Sequence, residues 1–459
     1  MLYRKKVLFL ASKTSGRQLN MIEGSIWDKV LMFALPVALT GILQQCFNAA
    51  DVAVVGSFVG ANAMAAVSSN SSLILLIVGL FQGLSMGSNV VIAQYIGQRD
   101  NTKVRKAVHT SVLLSVLSGF IVLILGEILA VPMLKLMNVP DTVLPLSTIY
   151  LRIYFAGMPV IMLYNFESAI FRSFGDTRTP LISLIISGVI NVILNLFFVL
   201  VCGMSVEGVA IATVIANIIS SGYLFIRMMK SEGLIGISFR EMALDGSIVN
   251  HIISIGVPAG LQGMVFSISN VVVQSGINSL GETVMAGSGA AFNIEIIAYF
   301  VINGFGQASV TFMGQNYGHG DKGRCRRVFK RCFWMDVGIA IAISGILLLC
   351  GRPLLHLFNS DAAVIDAGMV RLWMILPFEF INAGGMEIPS GSLRGLGKSM
   401  APAIITAIGV CGIRIVWVYT YFVGHQTFQG LMTCYPLSWI ITAAILLPYY
   451  LIVQKKLLS

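Results

Sequence analysis

Charge is scarce in this chain: Asp, Glu, Lys and Arg make up 11% of its 459 residues, where a soluble domain carries roughly a quarter. With 56% apolar residues and a mean hydropathy of +0.86, a soluble globule is excluded and a polytopic all-α membrane protein remains. The seven Cys, at 46, 202, 325, 332, 350, 411 and 434, form no CxxC and mostly lie inside apolar runs. That argues against disulfides and metal sites and leaves them as small hydrophobes. There is no GxxxxGK[ST] phosphate loop and no HExxH pair, so the chain reads as a non-enzyme without a cofactor, and ATP is not its own energy source.

What is present is a set of spans. Windows near 20 apolar residues, enough to cross hydrocarbon at 1.5 Å rise, fall at 30–52, 62–83, 110–132, 147–170, 181–203, 207–228, 250–275, 285–312, 333–351, 366–390, 402–423 and 429–452. Twelve transmembrane helices are expected. The second and eighth continue toward Gln94 and Gln315, and Gly83 and Gly87 predict a bend or interfacial continuation in the second.

The chain also repeats itself. Gln94, Gly97 and Asp100 recur 221 positions later as Gln315, Gly318 and Asp321; Arg172, Gly175 and Pro180 recur as Arg394, Gly397 and Pro402; Pro36, Gly41 and Asn48 recur as Pro258, Gly263 and Asn270. A tandem duplication follows, with an N-lobe over 21–228, a cytoplasmic linker over 229–248 and a C-lobe over 249–459, each lobe of six helices. Duplicated apolar halves are the usual build of a secondary transporter, with the site near the repeat interface. Pro36 and Pro258 fall at matching places in the leading helix of each half, where a freed carbonyl invites a kink.

A net charge of +10 raises the question of nucleic acid. Of the 30 Lys and Arg, 25 fall in alternate segments, while Lys135, Arg152, Arg352 and Arg371 are assigned to the opposite loops and Arg414 lies within a span. The positive-inside rule then places both termini in the cytoplasm and reads the charge as topology and contact with anionic lipid, with no nucleic-acid partner. Residues 1–20 are read as a cytoplasmic arm or as an over-extended start, since Met21 directly precedes the first segment and Val7–Ala11 is too short for a signal-peptide core.

Polar residues inside spans each need a reason, because a charge at a helix centre costs about 2.5–3.5 kcal/mol on insertion scales. Gln44, Asn48 and Asp51 share one face of the first span; Ser183, Ser187, Asn191 and Asn195 step by four along the fifth; Thr213, Asn217 and Ser221 do so along the sixth. In the second half Glu295, Tyr299, Asn303 and Gln307 step along the eighth span, and Asn270 and Gln274 share a face of the seventh. Ser and Thr in such stripes serve as interhelical glue. Asp51 is kept in a membrane by protonation, a cation such as Na⁺, or a basic partner, and so marks a coupling site. Gln44, Asn48, Asn270, Gln274, Glu295, Asn303 and Glu387 are candidate cavity-lining residues, Glu387 also being placed to pair with Arg394. Glu127, Glu167 and Glu379 are read as solvated or near basic residues.

The runs Glu23-Gly24-Ser25-Ile26, Phe33-Ala34-Leu35-Pro36, Gln44-Gln45, Phe47-Asn48-Ala49-Ala50-Asp51 and Ile92-Ala93-Gln94, with Thr311-Phe312-Met313-Gly314-Gln315-Asn316-Tyr317-Gly318 and Leu393-Arg394-Gly395-Leu396-Gly397, resemble the multidrug and toxic compound extrusion (MATE) transporters. The resemblance runs from about Met21 to the C-terminus. It implies two six-helix lobes in a bacterial plasma membrane and export of organic, often cationic, drugs in exchange for H⁺ or Na⁺ by alternating access. It places Asp51 at the family's first-helix coupling Asp, Asn191 at its fifth-helix partner and Thr213 at a sixth-helix Thr near it. Asn195 stands where one branch has a second Asp; Phe266 and Ala383 stand where another branch has its second-lobe acids; Phe47 replaces a common Tyr. Second-lobe ion binding would then fall to Glu295 or Glu387.

The leading expectation is a cation-coupled antiporter of amphipathic cations, with Asp51, Asn191, Asn195 and Thr213 at the coupling ion and no obligate protein partner. A flippase of a lipid-linked intermediate is the alternative, and a packed membrane scaffold without transport is the third.

Overall fold

The structure, a computed structural model, describes residues 19–137 and 139–458. The arm expected over 1–20 therefore lies, but for its last two residues, outside the described residues. Every regular element among the described residues is helical. Twelve runs follow in order: α1 Trp27–Phe58, α2 Ala61–Gly97, α3 Asn101–Leu136, α4 as the pair Leu144–Ala156 and Met158–Ser173, α5 Arg178–Val201, α6 Val206–Met229, α7 Gly246–Asn278, α8 Glu282–Gly318, α9 Lys322–Leu349, α10 over 362–395, α11 Met400–Phe422 and α12 Phe428–Leu458. Ten are singly long and apolar enough to cross a membrane, and α4 passes as a pair bent by 52°. Pro159, which has no amide to continue the i→i−4 ladder, sits just after that bend. The twelfth run, α10, is helical throughout but changes pitch at a 3₁₀ turn, Leu376–Phe378, and a π-helical stretch, Asn382–Glu387.

The surface is apolar in the way lipid requires: Ile128, Ile346, Val416 and Ile452 are 65%, 61%, 61% and 66% exposed. This is an integral membrane protein, and in lipid every backbone polar group must be paired within its own helix or close by, which is why helices fill the chain.

Two compact units emerge. One comprises residues 40–260, the other residues 22–39 together with Leu261 onward. In the first, Leu73, Val122, Leu134, Leu151, Phe155 and Met162 form a buried cluster between α2, α3 and α4, and the Phe155 ring occupies the space a side chain at Gly126 would need. In the second, Ala291, Ile294, Ala298, Leu347 and Leu372 do the same for α8, α9 and α10, joined by Leu355 from the short helix Gly351–His356 between α9 and α10.

Each unit takes its leading helical arm from the other half of the sequence. Within the first unit, residues 246–260 of α7 cross α2 so closely that a Cβ on Gly83 would overlap the Gly260 backbone, and one on Gly256 would lie 2.7 Å from the Leu84 Cα. Gly83 and Gly87 therefore serve close helix packing, and of the bend or interfacial continuation expected there no bend is seen, α2 running unbroken through both to Gly97. Within the second unit, residues 22–39 of α1 meet α8 the same way: a Cβ on Gly304 would lie 2.6 Å from the Ala34 carbonyl and 3.2 Å from the Ala38 Cβ. Gly304 and Gly83 are repeat equivalents, 221 positions apart. Both α1 and α7 stay helical through Pro36 and Pro258.

The repeated Gln–Gly–Asp motifs have a local role. Asp100 accepts the Lys103 amide at 3.0 Å and caps α3, and Asp321 accepts the Arg324 amide at 2.7 Å and caps α9. The Lys103 amide holds the Asp100 carboxyl below the usual carboxylate range. The segment after α6 is pinned to the start of α3: Arg105 donates to both Glu241 carboxylate oxygens at 3.1 and 2.9 Å, the Ser238 amide donates to His109 Nε2 at 3.0 Å, and Thr110 Oγ1 donates to the Ala243 carbonyl at 3.2 Å.

Candidate functional site

Asp51 sits on α1, 5% exposed. Asn195 Nδ2, from α5, donates to its Oδ1 at 2.5 Å, and Thr213 Oγ1, from α6, lies 3.2 Å from its Oδ2. One turn before Asn195, Asn191 accepts from Asn195 Nδ2 at 3.3 Å and donates through its own Nδ2 to Thr213 Oγ1 at 3.4 Å. The Thr213 hydroxyl has a single proton and two acceptors in reach, Asp51 and the Val209 carbonyl at 2.9 Å. The four-residue step along α5 and Thr213 on α6 thus bring two neutral donors onto one carboxylate, with Asn191 bonded to both of them. Tyr150 and Tyr154, stacked at 6.3 Å on α4, lie within electrostatic range of it. Phe47 packs its ring on Gly188, where any Cβ would overlap it.

Of the three ways to keep a carboxylate in a membrane, one is missing. No basic side chain among the described residues is within ion-pair distance of Asp51. A proton or a bound cation is what this arrangement of neutral donors leaves for the charge.

The rest of the expected stripes scatter. Gln44 and Asn48 are exposed on α1. Ser183 donates across to the Ser220 carbonyl at 2.7 Å, as interhelical glue, while Asn217 bonds back to its own helix at Thr213. In the second unit Gln274 Nε2 donates to Asn278 Oδ1 at 2.8 Å and Asn303 is half-buried. Asn270 accepts from Arg414 Nη1 at 3.2 Å. Glu295 is held by Arg371, whose Nε donates to it at 3.0 Å, whose Nη2 makes a second bond, and whose Nη1 donates to Ser288 at 2.8 Å. Arg371, assigned from sequence to a loop, is instead 3% exposed on α10; this partner is what brings it there. Glu387 is half-buried on the π-helical stretch, its carboxylate 2.9 Å from where a Gly306 Cβ would stand. Arg394 donates to Gln262 at 2.6 Å.

One family profile, described as MatE, matches residues 36–197 and again 258–420. The chain belongs to the MatE family. This is the multidrug and toxic compound extrusion family whose motifs the sequence resembles, and the double match is the duplication seen independently, since the two segments begin at Pro36 and Pro258. The MatE chain is 26% identical to the probable multidrug resistance protein YoeA of Bacillus subtilis strain 168 over 94% of its own length and 95% of that protein's. It is 26% identical to the probable multidrug resistance protein NorM of Thermotoga maritima, covering 85% and 84%. A crystal structure of a MATE protein in complex with MaL6 superposes with a TM-score of 0.90 at 20% identity, covering 96% of this chain and 99% of that one. The MatE chain is thus a transporter of twelve-helix fold rather than an enzyme.

Several buried ionisable residues of the MatE chain were not legible as site residues. Asp336 on α9 is fully buried, and neither carboxylate oxygen has a hydrogen-bond partner among the described residues; Glu387 and Glu379 lie within electrostatic range. Asp336 drew no reading from the sequence, where it stands close to the start of the 333–351 window and outside the repeated motifs. Glu379 and Glu167, read as solvated, are 4% and 0% exposed, held by Asn382 Nδ2 at 3.0 Å and Ser221 Oγ at 2.8 Å. Glu127 matches its reading, part-exposed beside Arg152 at 3.5 Å.

Proposed function

We propose that this transporter exports amphipathic organic cations, drugs among them, from a bacterial cytoplasm across the plasma membrane in exchange for H⁺ or Na⁺, with both termini on the cytoplasmic side. The two six-helix lobes, 21–228 and 249–459, alternate access. Asp51 holds the coupling ion, with Asn191, Asn195 and Thr213 as neutral ligands to the ion or to the protonated carboxyl. One observation carries this reading: a buried carboxylate fed by neutral donors and without a basic partner among the described residues needs a mobile positive charge. The relatives' names, probable multidrug resistance proteins, support drugs as cargo. A single charge crossing 100 mV supplies about 2.3 kcal/mol, enough to drive an exchange step.

Efflux of a fluorescent organic cation from energised everted vesicles tests it, at matched expression, with Na⁺ added or the proton gradient collapsed in turn. Asp51→Asn is expected to lose at least about 90% of gradient-driven efflux, because an amide cannot take up the ion. The gradient whose collapse stops the wild type names the ion. Undiminished efflux by Asp51→Asn removes Asp51 from the coupling step.

A further inference from the structure

Arg414 on α11 leads the fully buried side chains by volume and is 2% exposed. A guanidinium keeps its charge at every physiological pH and carries five donors in a fixed fork, so its burial calls for acceptors. Arg371 answers with Glu295. Arg414 does not: its Nε donates to Ser438 Oγ at 3.2 Å and its Nη1 to Asn270 Oδ1 at 3.2 Å. Its Cζ lies 4.1 Å from the Tyr435 ring centroid and 5.8 Å from that of Phe266. All four neighbours are neutral, and no carboxylate among the described residues is within ion-pair distance. Glu379 is in electrostatic range, yet its hydrogen bond comes from Asn382. The Tyr435 ring also has the Arg371 guanidinium at 5.7 Å, but that charge is already compensated by Glu295. The guanidinium itself is buried, and of the residues that touch it Asn270 is exposed and Tyr435 half-buried.

The duplication sharpens the contrast. Shifted by 222 positions, Asn48, Val192 and Thr213 become Asn270, Arg414 and Tyr435, while Asp51 becomes Val273. The first repeat holds a lone anion among neutral donors. At the corresponding place, the second holds a lone cation among neutral acceptors and ring faces.

The geometry points to an oxyanion subsite in the second unit, in which Arg414, framed by Asn270, Ser438 and the rings of Tyr435 and Phe266, takes the carboxylate or phosphate of an aromatic amphiphile. A carboxylate or phosphate adds ion-pair attraction and a two-point match to the guanidinium fork, neither of which its present single bonds to neutral Ser438 and Asn270 supply, and the rings supply flat apolar contact. It deepens the export reading by widening the cargo from cations to zwitterions, and rests on that reading only in treating the ligand as cargo.

The test is equilibrium binding to the purified full chain in phosphatidylcholine nanodiscs, with no gradient, by fluorescence anisotropy. Tetramethylrhodamine, which carries a carboxylate, is compared with its methyl ester, which does not. Arg414→Gln is expected to weaken the carboxylate dye at least about tenfold and the ester by less than about twofold. Asn270→Asp, which supplies the missing carboxylate beside Nη1 and keeps the guanidinium compensated, is expected to displace the carboxylate dye and spare the ester. In phosphatidylglycerol discs, weaker carboxylate-dye binding by the wild type but not by Arg414→Gln would support the subsite with a lipid phosphate as occupant. Equal losses of both dyes in a monodisperse Arg414→Gln protein, full carboxylate-dye binding by Asn270→Asp, or no carboxylate-dye binding by the wild type would each overturn it. Because no gradient is applied, intact dye binding alongside lost coupling would sink the antiport reading alone.

Discussion

Arg371 and Glu295 are both buried, 76 residues apart in sequence, and joined by two hydrogen bonds. Removing one partner of such a pair strands a charge; removing both does not. Arg371→Ala is expected to lower stability by about 3–5 kcal/mol, and the double change Arg371→Met with Glu295→Leu to recover most of it. Thermal melting in detergent, followed by tryptophan fluorescence, checks both, and a double variant as weak as the single one would contradict the account. This pair also shows where residue-level reading ran out. Glu295 stood out because it opens a four-residue polar step, Tyr299, Asn303 and Gln307, inside an apolar window, but its partner was assigned to a loop by charge bookkeeping along the chain, which ignores pairing across it. Asp51, Asn191, Asn195 and Thr213 could be put on facing stripes from i, i+4 steps alone. That Asn195 reaches Asp51, and that the carboxylate has no basic neighbour among the described residues, is tertiary information.

At the scale of elements the sequence was most informative where lipid imposes the rule. All twelve expected windows contain a helical run, because a 20-residue apolar stretch has few alternatives in hydrocarbon. The irregularities were harder. The 52° break in α4 and the pitch changes in α10 are backbone responses to Pro and to neighbouring packing, and hydropathy is blind to both. Gly83 was read as marking a bend or an interfacial continuation, and its use is contact. Adding an isopropyl group there forces α2 off the arm formed by residues 246–260, so Gly83→Val is expected to destabilise by about 1–3 kcal/mol or more, while Gly79→Val, on a site with open space within 4 Å, is expected to be tolerated. Detergent melting curves of the two variants side by side distinguish a packing role from general sensitivity of α2.

At the scale of the molecule, the duplication is legible twice over, in the recurring motifs and in one family profile matching two segments. What repetition in a sequence cannot tell is which piece folds with which. The exchanged arms do: residues 22–39 complete the unit built from the second half, and residues 246–260 complete the unit built from the first. Each half is therefore an unfinished product on its own. A gene split in the segment between α6 and α7 yields one fragment without the arm that seats on Gly83 and Gly87, and another without the arm that seats on Gly304. Neither fragment is expected to accumulate when expressed alone, and both are expected to persist, with efflux restored, when expressed together; stable accumulation of either fragment by immunoblot would contradict this. Read backwards, the same exchange implies that a one-repeat forerunner would have folded only by trading arms with a second copy of itself, and that fusing the two genes made permanent a partnership each chain already required.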